Sequence, residues 1–223
     1  MITLEAVSRE YQVGDQRVHA LRDVDLQVTP GEYISIMGPS GSGKSTLLNV
    51  IGLLDRPTAG RYLLNDEDVT GLSDRQLADV RRNRIGFVFQ FFHLVPRLSA
   101  AENIGLPLML AGMEPKEREQ RVTHALEEAG LDDRADHRPD QLSGGQRQRV
   151  VMARATILKP EIILADEPTG NLDCHSGQEI LALLEKLNAQ GITLLIVTHD
   201  PEIGDRAGRR IRMVDGDIDT DLA

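Results

Sequence analysis

The chain has 223 residues, of which 40% are hydrophobic and 27% charged, with 25 Lys and Arg against 35 Asp and Glu and a formal net charge of −10. Length and composition are those of one soluble globular domain, large enough to bury a sizeable core. The acidic balance argues against a general nucleic-acid surface, the single Cys174 excludes an internal disulfide and fits a reducing compartment, and neither a secretory segment nor an apolar run of membrane-spanning length is present.

Ile2, Leu4 and Ala6 alternate, as do Val24, Leu26 and Val28, which predicts half-buried antiparallel strands at the N-terminus. Tyr11 lies between them. Thr29-Pro30-Gly31-Glu32 reads as a turn. The apolar run Tyr33 to Met37 then enters a glycine-rich loop, Gly38-Pro39-Ser40-Gly41-Ser42-Gly43-Lys44-Ser45-Thr46, and Leu47, Leu48, Val50 and Ile51 follow at helical intervals. Asp55 to Gly60 breaks the pattern, Tyr62 to Leu64 is a short strand, and Ser73 to Gln76 is a capping box opening a helix to about Arg84. Arg81, Arg82 and Arg84 fit a solvated helix end. Ile85 to Phe89 is a strand that ends at Gln90.

From Phe91 to Gln141 no strand signal appears. The apolar stretch Ile104 to Met113 is broken by Gly105, Pro107 and Gly112. Ser99 to Glu102 is a second capping box. Pro115 suits the first turn of a helix with Val122, Ala125, Leu126 and Ala129 on its core face and Gly130 as its stop. The segment reads as a helical insertion in an α/β domain. Leu142-Ser143-Gly144-Gly145-Gln146 opens the next helix, predicted to run to Lys159. Ile162 to Ala165 is a buried parallel strand ending in Asp166-Glu167. Ser176 to Glu179 is expected to cap a helix stopped by Gly191. Thr193 to Val197 is another buried strand, ending in Thr198-His199, with Asp200 and Pro201 where an N-cap and a first-turn proline belong. Asp215-Gly216 closes a small C-terminal hairpin.

The glycine loop carries the G-x-x-x-x-G-K-S/T spacing between a strand and a helix, the context of a phosphate-binding loop. Glycines let successive backbone N–H groups converge on one anion, and the helix aims its own unpaired N–H groups and dipole at the same point. Lys44 can reach the β- and γ-phosphates and the Ser45 hydroxyl can hold Mg²⁺. Four expected strands end in polar residues, at Gly38, Gln90, Asp166-Glu167 and His199, where ligands gather in open α/β sheets. Asp166 suits a Mg²⁺-holding acid and Glu167 suits a base for an in-line water. If strand geometry persists, the two side chains point to opposite sides. His199 can bond a γ-phosphate oxygen or orient the base.

With these motifs in place, nearly the whole chain resembles the nucleotide-binding subunit of an ATP-binding-cassette (ABC) transporter. The match runs through the phosphate loop, Gln90, the Leu142-Ser143-Gly144-Gly145-Gln146 signature, Asp166-Glu167, Gly170-Asn171-Leu172-Asp173 and His199. The resemblance implies an α/β fold: a P-loop NTPase core with a mainly parallel sheet, an N-terminal antiparallel β subdomain and an inserted α-helical subdomain. Residues 1–90 and 142–223 then form the catalytic core and 91–141 the insertion. It implies that Tyr11 stacks on adenine and that Thr46 lies beside the α-phosphate. Glu167 is then the catalytic base and Gln90 the residue touching Mg²⁺ and the water. Two subunits pair head to tail on binding ATP, so that Ser143, Gly145 and Gln146 act on the partner's nucleotide. An integral membrane permease is the further partner, and the cytoplasmic face of the cell membrane the expected location.

A narrower likeness rests on Gly52-Leu53-Leu54-Asp55-Arg56-Pro57-Thr58, Ile85 to Gln90, His93-Leu94-Val95-Pro96, Leu98 to Asn103 and Ala165 to Asp173. These are similar to the branch that holds the lipoprotein-releasing ATPase LolD, the macrolide exporter MacB and the cell-division ATPase FtsE. That branch implies a membrane partner that passes force across the membrane, as in LolCDE and MacB. The alternative is an FtsE-like regulatory ATPase on a cell-envelope complex. A soluble ATPase acting on DNA or ribosomes is disfavoured by the acidic charge. Phe91, Phe92, Leu94, Val95 and Leu98 are the candidates for a partner surface, and Cys174 reads as incidental.

Overall fold

The structure is a computed structural model that describes residues 1–223. Two sheets and an α-helical layer compose it. The first sheet joins β1 (Ile2–Val13), β2 (Gln16–Val28), β4 (Ala59–Leu64) and β5 (Glu67–Asp68) in the order β2-β1-β4-β5, all antiparallel. The second has β3 (Tyr33–Met37), β6 (Ile85–Phe89), β7 (Ile162–Asp166), β8 (Thr193–Val197), β9 (Arg209–Val214) and β10 (Asp217–Leu222) in the order β10-β9-β3-β8-β7-β6. Only β9 with β10 is antiparallel there.

β7 and β8 are buried on both faces, and their residues divide between two cores. Ile162, Leu164, Leu195 and Val197 face the core shared with the first sheet and α1 (Lys44–Ile51). Ile163, Ala165, Leu194 and Ile196 face the core made with α5 (Gly144–Thr156) and α6 (Cys174–Ala189). This two-sided burial explains the continuous apolar runs in these strands. Each fully buried Leu or Ile contributes roughly 1.5–3 kcal/mol, which anchors the strand ends that carry the polar groups.

Between β6 and β7 there is no strand. α3 (Ala100–Leu110) and α4 (Pro115–Ala129) pack with the apolar face of α5 into a third core, including Ile104, Leu108, Val122, Leu126 and Val150. Ser99 caps α3 with Glu102, and Gly130 closes α4 at φ 62°. The remaining α-helices are α2 (Asp74–Arg84), capped by Ser73, and the short α7 (Pro201–Gly204), capped by Asp200.

Three local expectations are corrected. Ala6 is exposed, because a bulge between Leu4 and Val7 puts Ala6 at φ 46° and hands the inward position to Val7. α6 begins at Cys174 with Asp173 as its cap, and Ser176 is the residue whose N–H the Asp173 carboxylate accepts, at 2.9 Å. The cap therefore lies three residues earlier than the Ser-x-x-Glu pattern suggests. α5 stops at Thr156, where the Thr156 hydroxyl donates back to the Met152 carbonyl at 2.9 Å, and Lys159 adopts φ 55°.

Candidate active site

The glycine loop runs from the end of β3 into α1. A Cβ on Gly38 would lie 2.2 Å from the Met213 carbonyl oxygen, and one on Gly43 2.4 Å from that of Ala20. Both glycines also have positive φ, 149° and 98°, so no other residue fits either position. Gly43 caps α1 without any side-chain hydrogen bond, leaving the helix's first N–H groups open to an anion. Beneath them the Ser42 hydroxyl is buried with no partner. Lys44 arches over the loop, its Nζ donating to Gly38 O at 2.9 Å and Pro39 O at 2.8 Å. The loop is thus a cradle of unsatisfied donors around one ammonium group.

Facing it are the ends of β7 and β8. The Ser45 hydroxyl lies on the same side of the site as the Asp166 carboxylate, and both line one cavity. Burial raises the Asp166 pKa, with Glu167 adding to the rise and Ser45 and Lys44 opposing it. Glu167 does not continue the strand. It takes φ 47°, donates its N–H to Val197 O at 2.9 Å and accepts from Gly170 N–H at 3.1 Å. This left-handed turn corrects the expectation that the two acids face opposite sides: both line one cavity of about 480 Å³. His199 Nδ1 lies 2.7 Å from Glu167 Oε2. A carboxylate can only accept, so Nδ1 carries the proton. Gln148, fully buried on α5, steadies the turn from behind by donating Nε2 to Pro168 O at 2.8 Å.

The same cavity takes in Gly38, Ser40, Gly41, Gly43, Lys44, Ser45 and Thr46. Val18, His19 and Ala20 of β2 complete its wall. Those three were missed in the sequence. They lie in an exposed hairpin arm with no motif, and only the register of β2 against β1, Tyr11 opposite Val18, brings them there. Tyr11 itself is not among the lining residues; Arg9 covers one face of its ring at 4.5 Å and its hydroxyl donates to Asp55. Pro39 faces the neighbouring cleft toward Arg212.

Gln90 also lies outside the cavity lining. Its side chain packs on Gly170, and its carbonyl accepts from Asn171 Nδ2 at 2.8 Å. Phe92 and His93 follow at φ 54° and 47°, two consecutive left-handed residues costing about 1–2 kcal/mol each. Ser143 caps α5: its hydroxyl accepts from Gln146 N–H at 3.2 Å while Gln146 Oε1 accepts from Ser143 N–H at 2.9 Å. Gly144 packs near Leu172 and Gly145 near Ser176. None of the four residues Ser143 to Gln146 reaches the cavity of its own chain.

The model of the ABC transporter family matches residues 21–170. The chain belongs to the ABC transporter family. Among the relatives of this ABC cassette, the uncharacterised ATP-binding protein YknY of Bacillus subtilis is 50% identical over 98% of this chain and 95% of its own. A Thermotoga maritima ABC ATP-binding protein is 52% identical, covering 98% and 94%. The macrolide export ATP-binding/permease protein MacB of Marinobacter nauticus is 48% identical over 98% of this chain but 34% of its own length. The dimeric ATP-binding cassette MJ0796, solved in a post-hydrolysis state with ADP and Pi, superposes with a TM-score of 0.92 at 45% identity, covering 99% and 97% of the two chains. The fold is that of a P-loop NTPase cassette with an antiparallel N-terminal sheet and a helical insertion. This chain is the ATP-binding subunit of an ABC transporter and an ATPase.

Proposed function

We propose that this cassette hydrolyses ATP as a head-to-tail dimer and drives a membrane partner of the type served by LolD and MacB. The observation that carries the catalytic part is the hydrogen-bonded pair of Glu167 and His199 facing the donor cradle of the phosphate loop. The loop's N–H groups and Lys44 bind the phosphates, and the unpartnered Ser42 hydroxyl offers a further donor. Ser45 and Asp166 fit Mg²⁺, being a hydroxyl and a partly buried carboxylate that line the same cavity, an oxygen donor set suited to a hard cation. These two residues would hold Mg²⁺, which would supply positive charge to offset that of the phosphates. Glu167 orients the attacking water and accepts its proton, while His199 Nδ1–H fixes the carboxylate's direction. Gln90 completes the water and metal environment as its loop moves with the partner. Tyr11 stacks on the adenine ring with the face that Arg9 leaves free.

Since Ser143 to Gln146 lie away from their own cavity, they serve a nucleotide held by a second copy. The dimeric state of MJ0796 supports this. The MacB relatives support the export-type membrane partner. No helix here is long and apolar enough to cross a membrane, so that partner supplies the spanning part and the cassette sits peripherally on its cytoplasmic side. Phe91, 70% exposed and next to Gln90, is the leading contact for it, with Val95. Phe92 and Leu94 of the expected surface instead pack against the internal cores.

Glu167→Gln with Mg–ATP tests both parts. Sedimentation should show a stable dimer with nucleotide bound and turnover lost; a monomer would refute the trans site. The tagged variant should recover from native membranes a four-span protein with a large extracytoplasmic domain. A six-span permease, or no membrane protein, would refute the LolD and MacB likeness, and a division-type partner would point to an FtsE-like role.

A further inference from the structure

Gln90 is held on two sides. On one, Asn171 bonds its carbonyl and Gly170 receives its side chain. On the other, the chain enters the left-handed pair Phe92 and His93. That turn presents two consecutive carbonyls to α5, and one guanidinium takes both: Arg154 donates Nη2 to Phe92 O at 3.0 Å and Nη1 to His93 O at 2.7 Å. The planar guanidinium gives each carbonyl its own nitrogen in a rigid fork, a geometry that the single nitrogen of an ammonium does not share. Arg147, on the same helix, lies over the Phe92 ring at 4.9 Å. Burial disfavours the Arg154 charge, and no carboxylate offsets it. The loop carbonyls are what keep this cation in place. The helix that carries Arg154 is also the one that begins at Ser143.

We propose that Arg154 is a positioning residue for ATP hydrolysis: it anchors the Phe92–His93 turn to the helix bearing the signature, so that Gln90 moves with that helix rather than independently of it. This rests on the role proposed above for Gln90. A pull on the loop by a membrane partner then reaches the signature helix through one side chain, and movement of that helix reaches Gln90 by the same route.

The test is a double-mutant cycle in the full chain, read as Mg–ATP turnover. Arg154→Met keeps the aliphatic stem and removes the fork. It should lower kcat by about tenfold, the scale seen when an outer group that orients a metal-site residue is lost, with KM unchanged. Arg154→Lys should recover part of the loss, since an ammonium can still donate to the turn carbonyls but without the rigid fork. Gln90→Ala combined with Arg154→Met should be no slower than the slower single variant. Hydrogen exchange should rise at residues 91–94 in Arg154→Met while the amides of β7 and β8 stay protected. If the two losses multiply in the double variant, or if Gln90→Ala is impaired and Arg154→Met is not, the proposal is wrong. Wild-type turnover in Gln90→Ala alone would instead refute the role of Gln90, and the proposal with it. Should Arg154→Met fail to fold, the same cycle with Arg154→Lys carries the comparison.

Discussion

Replacing His199 by Ala removes one hydrogen bond from the site and almost nothing else. The bond runs from Nδ1 to Glu167 Oε2 at 2.7 Å, with the His199 side chain 73% exposed and that of Glu167 22% exposed. A hydrogen bond to a charged group contributes about 1.5–3 kcal/mol. At about 1.36 kcal/mol per factor of ten in rate, that is roughly a 10- to 150-fold loss in kcat if the bond acts only in the transition state. The exposure of the imidazole screens it, so the lower end, about tenfold, is expected. ATP affinity should not move, because Lys44, the loop N–H groups and Ser42 are untouched. The thermal midpoint should not move either, since an exposed pair adds little stability. Steady-state turnover at saturating Mg–ATP, equilibrium nucleotide binding and a melting curve read the three quantities separately. An unchanged kcat would refute the role assigned to His199. A loss of affinity matching the loss of kcat would move His199 from orienting the base to ground-state binding.

Lys44→Ala should weaken ATP binding by about two orders of magnitude, on the scale of one strong charged hydrogen bond to phosphate, as equilibrium dialysis would show. Ser143→Arg removes the cap of α5, so it should cost about 1 kcal/mol of stability and abolish turnover while the monomer still binds nucleotide; normal turnover would contradict the trans site. Tyr62→Phe tests the fold alone. The Tyr62 hydroxyl, buried with its ring, donates to Ile51 O at 2.9 Å. Its loss should lower the urea-derived stability by about 1–2 kcal/mol with ATPase activity intact.

The phosphate loop was legible because its chemistry is local. Gly38 to Ser45 sit together in sequence, and the strand and helix on either side announce themselves by periodicity. The capping boxes at Ser73 and Ser99 were legible for the same reason: each is a reciprocal bond across three residues. The pattern failed at Ser176, where a competing carboxylate three residues earlier captures the same N–H. It failed at Ala6, where alternation cannot register an extra residue in the ladder. Glu167 was named as a base from its position after an apolar strand. Its direction was not legible, since it depends on a left-handed turn held by Val197 and Gly170.

What the sequence determined by itself is therefore the set of reacting groups and the elements that carry them, because both depend on neighbours along the chain. What only the tertiary structure decided is which groups meet. Val18 to Ala20 enter the cavity through strand register, Tyr11 is backed by Arg9 and Asp55, and Arg154 finds the carbonyls of a loop about sixty positions earlier. Those pairings are set by how sheets and helices pack. Packing sums over contacts between residues remote in the chain, and no local pattern records it.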